Sequence, residues 1–147
     1  MNVNEILDTF VAHYGEGSSG NAPSRVQWQR ILDRDSNKPF ALINFFKFNE
    51  TAKYSDDKEP SVSGDVAFQR YADVSIPSMQ NAGGEFLLVA PFAGSFLGDD
   101  QDWDLVAIGK YPNQQAFLNL YGNKDYMQAF VHRSAAVARQ SVLVTEM

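Results

Sequence analysis

The sequence predicts an α+β fold in which an antiparallel sheet carries helices on one face, preceded by a helical extension. One observation is size, because 147 residues with 44% apolar and 13% aromatic residues suffice for one domain with a substantial core. The second is the order of strand and helix patterns from residue 40 onward. The third is the helical period within the first 37 residues.

The N-terminal extension, residues 1–37, is predicted to form two helices. Apolar residues recur at three- and four-residue steps over residues 1–14, and a Gly/Ser-rich run then ends this helix. Between Ser24 and Asp33 a capping-box pattern favours a second helix. Apolar alternation in the same stretch also permits a strand.

The clearest strand runs from Phe40 to Phe48 and is rich in aromatic and branched residues. Residues 49–63, which include Pro60, are polar and are predicted to form a long surface loop. An antiparallel sheet with one solvated face should alternate apolar and polar residues, but both faces of this strand are apolar. Something must therefore cover its second face, and a second copy of the sheet is the simplest candidate.

The remaining elements complete a strand–helix–strand–strand–helix–strand order. A helix is expected over residues 64–83, and Pro77 should kink or end it near Ser75. Pro91 indicates a bulge or a sheet edge in the strand that contains it. The later elements are a strand over 85–97, a strand over 103–111, a helix capped by Asn113, a second helical segment over 125–137 and a strand over 141–145. This is the split βαββαβ arrangement of a ferredoxin-like fold. The apolar stripe of the second helical segment is predicted to contain Met127, Phe130, Val131, Ser134 and Ala138.

Several motifs in the last two thirds of the chain recur in a known family. They are Pro39-Phe-Ala-Leu-Ile-Asn-Phe-Phe-Lys-Phe48, Gly64-Asp-Val-Ala-Phe-Gln-Arg-Tyr71 with Pro77, Gly83-Gly84, Tyr111-Pro112, Tyr121 to Tyr126, and Arg133 to Val144. In order and spacing, residues 38–145 resemble the DUF1330 family. The resemblance implies a ferredoxin-like domain over residues 38–147 that forms a dimeric α/β barrel. It implies no activity, because related proteins include monooxygenases, isomerases, haem-handling enzymes and effector-binding domains.

Composition excludes several functional classes. A net charge of −6 argues against a nucleic-acid surface. With no cysteine and only two histidines, we expect no metal site. The sequence contains no triad, P-loop or Rossmann fingerprint. No apolar run is long enough to span a membrane and no signal-peptide pattern is present, so a cytoplasmic protein is expected.

Five residues are candidates for lining a ligand pocket. Asn44 lies on an apolar strand face, where its amide serves either the structure or the orientation of a ligand carbonyl or dioxygen. Tyr71 and Tyr121 lie on apolar helix faces, and the buried hydroxyl of Tyr71 needs a partner. Trp103 offers one indole N–H at the start of a strand. Arg133, on a helix flank, either clamps a carboxylate or makes a surface ion pair.

A haem site is considered because haem-degrading monooxygenases of the same superfamily use an Asn, a Trp and a His from comparable elements. The corresponding residues here are Asn44, Trp103 and His132. His132, however, lies roughly 140° from the centre of its helix stripe and should face outward. His13 is also expected at the surface. We therefore expect no haem and no other cofactor.

These observations lead to a small-molecule-binding homodimer, formed by sheet-to-sheet packing, with an apolar pocket between sheet and helices. The ligand is expected to be a small apolar or aromatic molecule. One alternative is a cofactor-independent monooxygenase or isomerase acting on a small aromatic compound or lactone. Another is a structural or interaction protein without a ligand. A partly polar cavity beside Asn44 and Tyr71 would favour the first two, and a filled core would favour the third.

Overall fold

The computed structural model describes residues 2–56 and 61–147, and these form five helices and four strands. The helices and strands in chain order are α1 Val3–Tyr14, α2 Arg25–Leu32, β1 Phe40–Phe48, α3 Gly64–Ala82, β2 Glu85–Pro91, β3 Leu105–Tyr111, α4 Gln114–Tyr121, α5 Lys124–Ala136 and β4 Val137–Glu146. Residues 57–60 of the predicted polar loop lie outside the described residues.

The four strands form one antiparallel sheet in the order β2-β3-β1-β4. From β1 onward the order of elements is the βαββαβ arrangement, so the predicted α+β, ferredoxin-like fold is confirmed. Helices α3, α4 and α5 pack on one face of the sheet, called here the inner face. The inner side chains of β1 include Phe40, Leu42 and Phe46, each no more than 6% exposed.

The opposite, outer face of the sheet is apolar as well. Backbone pairing places four aliphatic side chains in one row across all four strands, namely Leu88, Ile108, Ile43 and Leu143. The two edge members, Leu88 and Leu143, are 46% and 52% exposed. The sequence correctly indicated that both faces of β1 are apolar.

The N-terminal extension packs on the helices and not on the outer face. Its buried residues Phe10 and Trp28 belong to the same hydrophobic core as the rest of the chain. The Tyr14 hydroxyl donates to the main-chain oxygen of Tyr121 at 2.6 Å. The edge members of the outer row, Leu88 and Leu143, therefore stay about half exposed in the presence of this segment.

Helix α2 confirms the helical interpretation of the segment after Ser24. The Ser24 side chain accepts from the Gln27 amide, and the Gln27 side chain accepts from the Ser24 amide. This reciprocal capping box starts the helix.

Helix α3 agrees with the helix predicted over residues 64–83, and of the two effects expected of Pro77 the ending near Ser75 is wrong, since the helix continues through Pro77 to Ala82. Proline removes one backbone donor, but packing of the last turn outweighs that loss. Met79 in this turn is fully buried. Its side chain packs so closely on Gly84 and Gly109 that a Cβ atom at either position would lie within 3.0 Å of it. The helix then ends at Gly83, whose φ of 103° suits glycine.

Three strand boundaries also differ from the predictions. β2 ends at Pro91 on the sheet edge, with its bulge between Phe86 and Leu88, and does not reach residue 97. β3 begins at Leu105, two residues later than expected. β4 is longer than predicted because it starts at Val137, where α5 ends, and pairs with β1 from there to Glu146. The first half of β4 contains polar residues, so the sequence there lacks the apolar pattern from which a strand is predicted.

Candidate functional site

A cavity of about 50 Å³, called here the core cavity, lies between the inner sheet face and helices α3, α4 and α5. Most of its lining is apolar, but Asn44, Tyr71, Tyr121 and Arg133 contribute polar groups. This volume accommodates about three water molecules. The core is therefore partly polar and incompletely filled beside Asn44 and Tyr71.

Arg133 is the cation of this site and is only 6% exposed. It lies in the last turn of α5, where a positive charge interacts favourably with the helix dipole. Its Nη1 donates to the Tyr71 hydroxyl at 3.1 Å, while Nε and Nη2 donate to the Gln140 Oε1 at 3.2 and 2.9 Å. The guanidinium also lies 4.9–5.6 Å from the ring centroids of Phe46, Tyr71 and Phe130.

All of these partners are neutral. No ion pair among the described residues includes Arg133. Three N–H groups of the guanidinium donate to Tyr71 and Gln140, and a further side-chain hydrogen bond joins Arg133 to Tyr121. The site therefore holds a buried positive charge that none of the described carboxylates balances.

Tyrosine hydroxyls extend the polar group around Arg133. The hydroxyls of Tyr71 and Tyr126 are hydrogen-bonded to each other in the interior. Burial raises the pKa of Tyr111, Tyr121 and Tyr126, and the positive charge of Arg133 opposes this rise. For Arg133 itself, burial lowers the pKa, but the neighbouring tyrosines together raise it by more, so the net shift of the pKa is upward. These phenols remain neutral and the guanidinium charged at ordinary pH.

A second cavity of about 530 Å³, called here the side cavity, lies between residues 17–31 of the extension and β4. Leu42, Tyr121 and Arg133 line both this cavity and the core cavity. Its rim includes exposed residues such as Gly20 and Val142, so it can be reached from solvent. Its volume falls within the range typical of small-molecule sites, about 300–1,000 Å³.

Four of the five predicted pocket residues lie together around the core cavity, and Trp103 does not. Asn44 is partly buried, and its Nδ2 donates to the main-chain oxygen of Ala107 at 3.0 Å. Trp103 lies on the other side of the sheet, against Phe45, with Arg139 stacked over its ring at 4.3 Å. Its indole N–H donates to the Gln101 side chain, so it contributes to the outer surface.

The three residues considered for a haem site do not converge. His132 lies on the outer side of α5, where its Nδ1 is hydrogen-bonded to the Tyr54 hydroxyl at 2.6 Å. Asn44 lines the core cavity and Trp103 lies beyond the sheet. His13 is exposed, as expected, and its Nε2 lies 2.8 Å from the Met127 oxygen.

The sequence stripe assigned to α5 was wrong by about one position. The buried face contains Tyr126, Ala129, Phe130, Arg133 and Ala136, whereas Val131 is 46% exposed. The predicted stripe put Arg133 on its flank and left a carboxylate clamp and a surface ion pair open, whereas the structure buries this residue. Sequence reasoning also missed Tyr126 as a hydroxyl partner and Gln140, which only the length of β4 brings next to Arg133.

Within residues 2–56 and 61–147, no group of three or more His, Cys, Asp or Glu side chains is placed to hold a metal ion. Over the same residues, no helix has both the length and the apolar character needed to cross a membrane.

Comparison with known proteins identifies a family and a set of similar structures. The family model DUF1330, described as a domain of unknown function, matches residues 58–147. The match begins after β1, later than the resemblance over residues 38–145 placed it. No curated protein matches the chain.

Two crystal structures are similar over nearly their whole length. One is of the methylated RPA0582 protein, with 25% identity and a TM-score of 0.78 over 86% of this chain and 93% of that one. The other is of RPA0582, a protein of unknown function from Rhodopseudomonas palustris, with 25% identity and a TM-score of 0.77 over 86% of this chain and 95% of that one. Both cover more of the chain than the family match does.

Proposed function

We propose, from the premise that the chain belongs to the DUF1330 family, that the protein is a homodimer that binds a small aromatic or apolar molecule. The ligand enters the side cavity and reaches the polar groups around Arg133. The family description names no activity, and the geometry of this chain supports the proposal.

The side cavity supports this proposal more strongly than any other feature. Its volume of about 530 Å³ is large enough for a small organic molecule, whereas the core cavity of about 50 Å³ holds only waters. Apolar walls such as Phe130 and Val142 favour an aromatic or aliphatic body. The shared lining at Tyr121 and Arg133 gives that body a polar end to recognise.

The outer face of the sheet supports the homodimer. An apolar row across four strands, with its edge members about half exposed, is typical of a surface that a second protein covers. A second copy of the same sheet presents the same apolar row. Such an interface should bury at least about 1,000 Å².

Binding can be tested with a panel of neutral and acidic aromatic fragments, measured by ligand-observed NMR and thermal shift. Val142→Trp fills the side cavity without changing Arg133, and Val66→Trp on the exposed side of α3 is the matched control. We expect fragment affinity to fall about tenfold or more in Val142→Trp, or about 1.4 kcal/mol, and to be unchanged in Val66→Trp. A panel with no binder, or binders equally affected by both substitutions, would exclude this site.

A further inference from the structure

We propose that the ligand of the side cavity is a small monocarboxylate with an apolar body, and that Arg133 binds its carboxylate. This inference rests on the proposed function, since it names the chemical class of the molecule that the site takes.

The charge of the site points to an anion. Arg133 is 6% exposed, and its partners are two phenols, an amide oxygen and three aromatic rings. A buried cation is costly unless a negative charge balances it. None of the described carboxylates does so. A bound anion supplies the missing negative charge.

The chemistry of the site favours a carboxylate over a phosphate. The planar fork of a guanidinium matches the two oxygens of a carboxylate. One cation balances one negative charge, whereas a phosphate monoester carries about −1.5 to −2 at neutral pH. The chain as a whole has a net charge of −6 and would repel the additional charge.

Gln140 occupies one edge of the Arg133 guanidinium and orients it. Its Oε1 accepts from both Nε and Nη2 of Arg133, which is one edge of the fork. Its Nε2 donates at 3.4 Å to the main-chain oxygen of Gly20 in the extension. An uncharged amide thus holds the guanidinium in place and connects it to the rim of the side cavity.

The first test needs no variant. Matched acid and amide pairs, namely benzoate with benzamide and 1-naphthoate with 1-naphthamide, are titrated against the wild-type protein by calorimetry. We expect at least one acid to bind about ten- to a hundredfold more tightly than its amide. If acids and amides bind equally, the carboxylate assignment is wrong while the proposed binding function stands. If no fragment of any class binds, both are wrong.

The second test places the carboxylate in the protein itself. Gln140→Glu is nearly isosteric and should satisfy Arg133 internally, so acid affinity should fall about tenfold while amide affinity changes less than about threefold. Arg133→Met should have the same selective effect, and Arg139→Met is the control for loss of one positive charge outside both cavities. Unchanged acid binding in Gln140→Glu would overturn the proposal even if Arg133→Met fails to fold. An equal loss in Arg139→Met would assign the effect to net charge and would likewise overturn it.

Discussion

Replacing Gln140 with glutamate should stabilise the protein, although it introduces a charge next to the core. The two bonds from Arg133 to this side chain, at 3.2 and 2.9 Å, would then end on an ionised acceptor. Both bonds already start from a charged guanidinium, so the gain comes from the added attraction between two opposite charges, which is about 4 kcal/mol at 4 Å near a protein surface. Allowing for desolvation of the new carboxylate and loss of the 3.4 Å bond to Gly20, the net gain is about 1–2 kcal/mol. The melting temperature should rise by about 3–6 °C for a chain of this size.

The gain from Gln140→Glu should depend on pH in a defined direction. The guanidinium holds the pKa of the new carboxyl below its unfolded value of about 4.3, so the gain is complete well above that pH. It is lost as the pH falls through the lowered folded pKa. Urea unfolding measured in steps from pH 7 down to about pH 2 follows the gain from one limit to the other.

A double-mutant cycle provides the control for this prediction. In an Arg133→Met background the same substitution buries an unpaired carboxylate and should destabilise the fold. The coupling energy should exceed about 1.5 kcal/mol. A coupling near zero, with Gln140→Glu neutral or destabilising, would refute the inference that Arg133 lacks a counter-charge.

Three further predictions concern the sheet and the buried phenols. Asn44→Leu removes the bond to Ala107, so it should cost about 1–3 kcal/mol and lower the melting temperature by several degrees; an unchanged melting temperature would show that the amide serves the cavity instead. In light scattering the wild-type protein should be a dimer of about 33 kDa, twice the chain mass of 16.4 kDa. Ile108→Asp introduces a charge at the centre of the outer row and should convert this dimer to monomer. A wild-type protein that is already monomeric would exclude the proposed dimer. In an absorbance titration, four of the six tyrosines should stay protonated until the protein unfolds, because burial raises their pKa. Those four are Tyr14, Tyr111, Tyr121 and Tyr126. Their contribution to the free energy of unfolding should be complete below about pH 10 and fall above it. Ionisation of all six tyrosines in the folded protein would contradict this prediction.

The sequence predicted the fold well where one physical signal dominated. The β1 strand, the capping box of α2 and the Asn113 cap of α4 are each local patterns, and each was found. Pro77 misled because a local rule about helix donors met strong tertiary packing around Met79. The boundaries of β4 depended on pairing with β1, which a local pattern does not contain.

The candidate site was only partly predictable, for a related reason. Asn44, Tyr71 and Tyr121 were found because a polar group on an apolar face is visible in the sequence. Arg133 was named on a helix flank, where a carboxylate clamp and a surface ion pair were both left open, because an arginine is rarely fully buried without a paired charge. Its neighbour Gln140 lies seven residues away on the next strand, and no periodicity connects an α-helix to the strand that follows it.

The compensation that the fold itself gives Arg133 is distributed over many weak interactions. Ring contacts contribute about 0.5–2 kcal/mol each, and the helix dipole at the end of α5 about 0.3–1. None of them carries a full negative charge, so together they hold the guanidinium in place but leave its positive charge without a counter-charge. That field is strongest where water is excluded, in the cavities that Arg133 lines. The extension increases this exclusion, because residues 17–31 form the second wall of the side cavity. A site of this kind discriminates by charge at its inner end and by size and apolarity along its wall, which is why matched acids and amides are the sharpest probes of it.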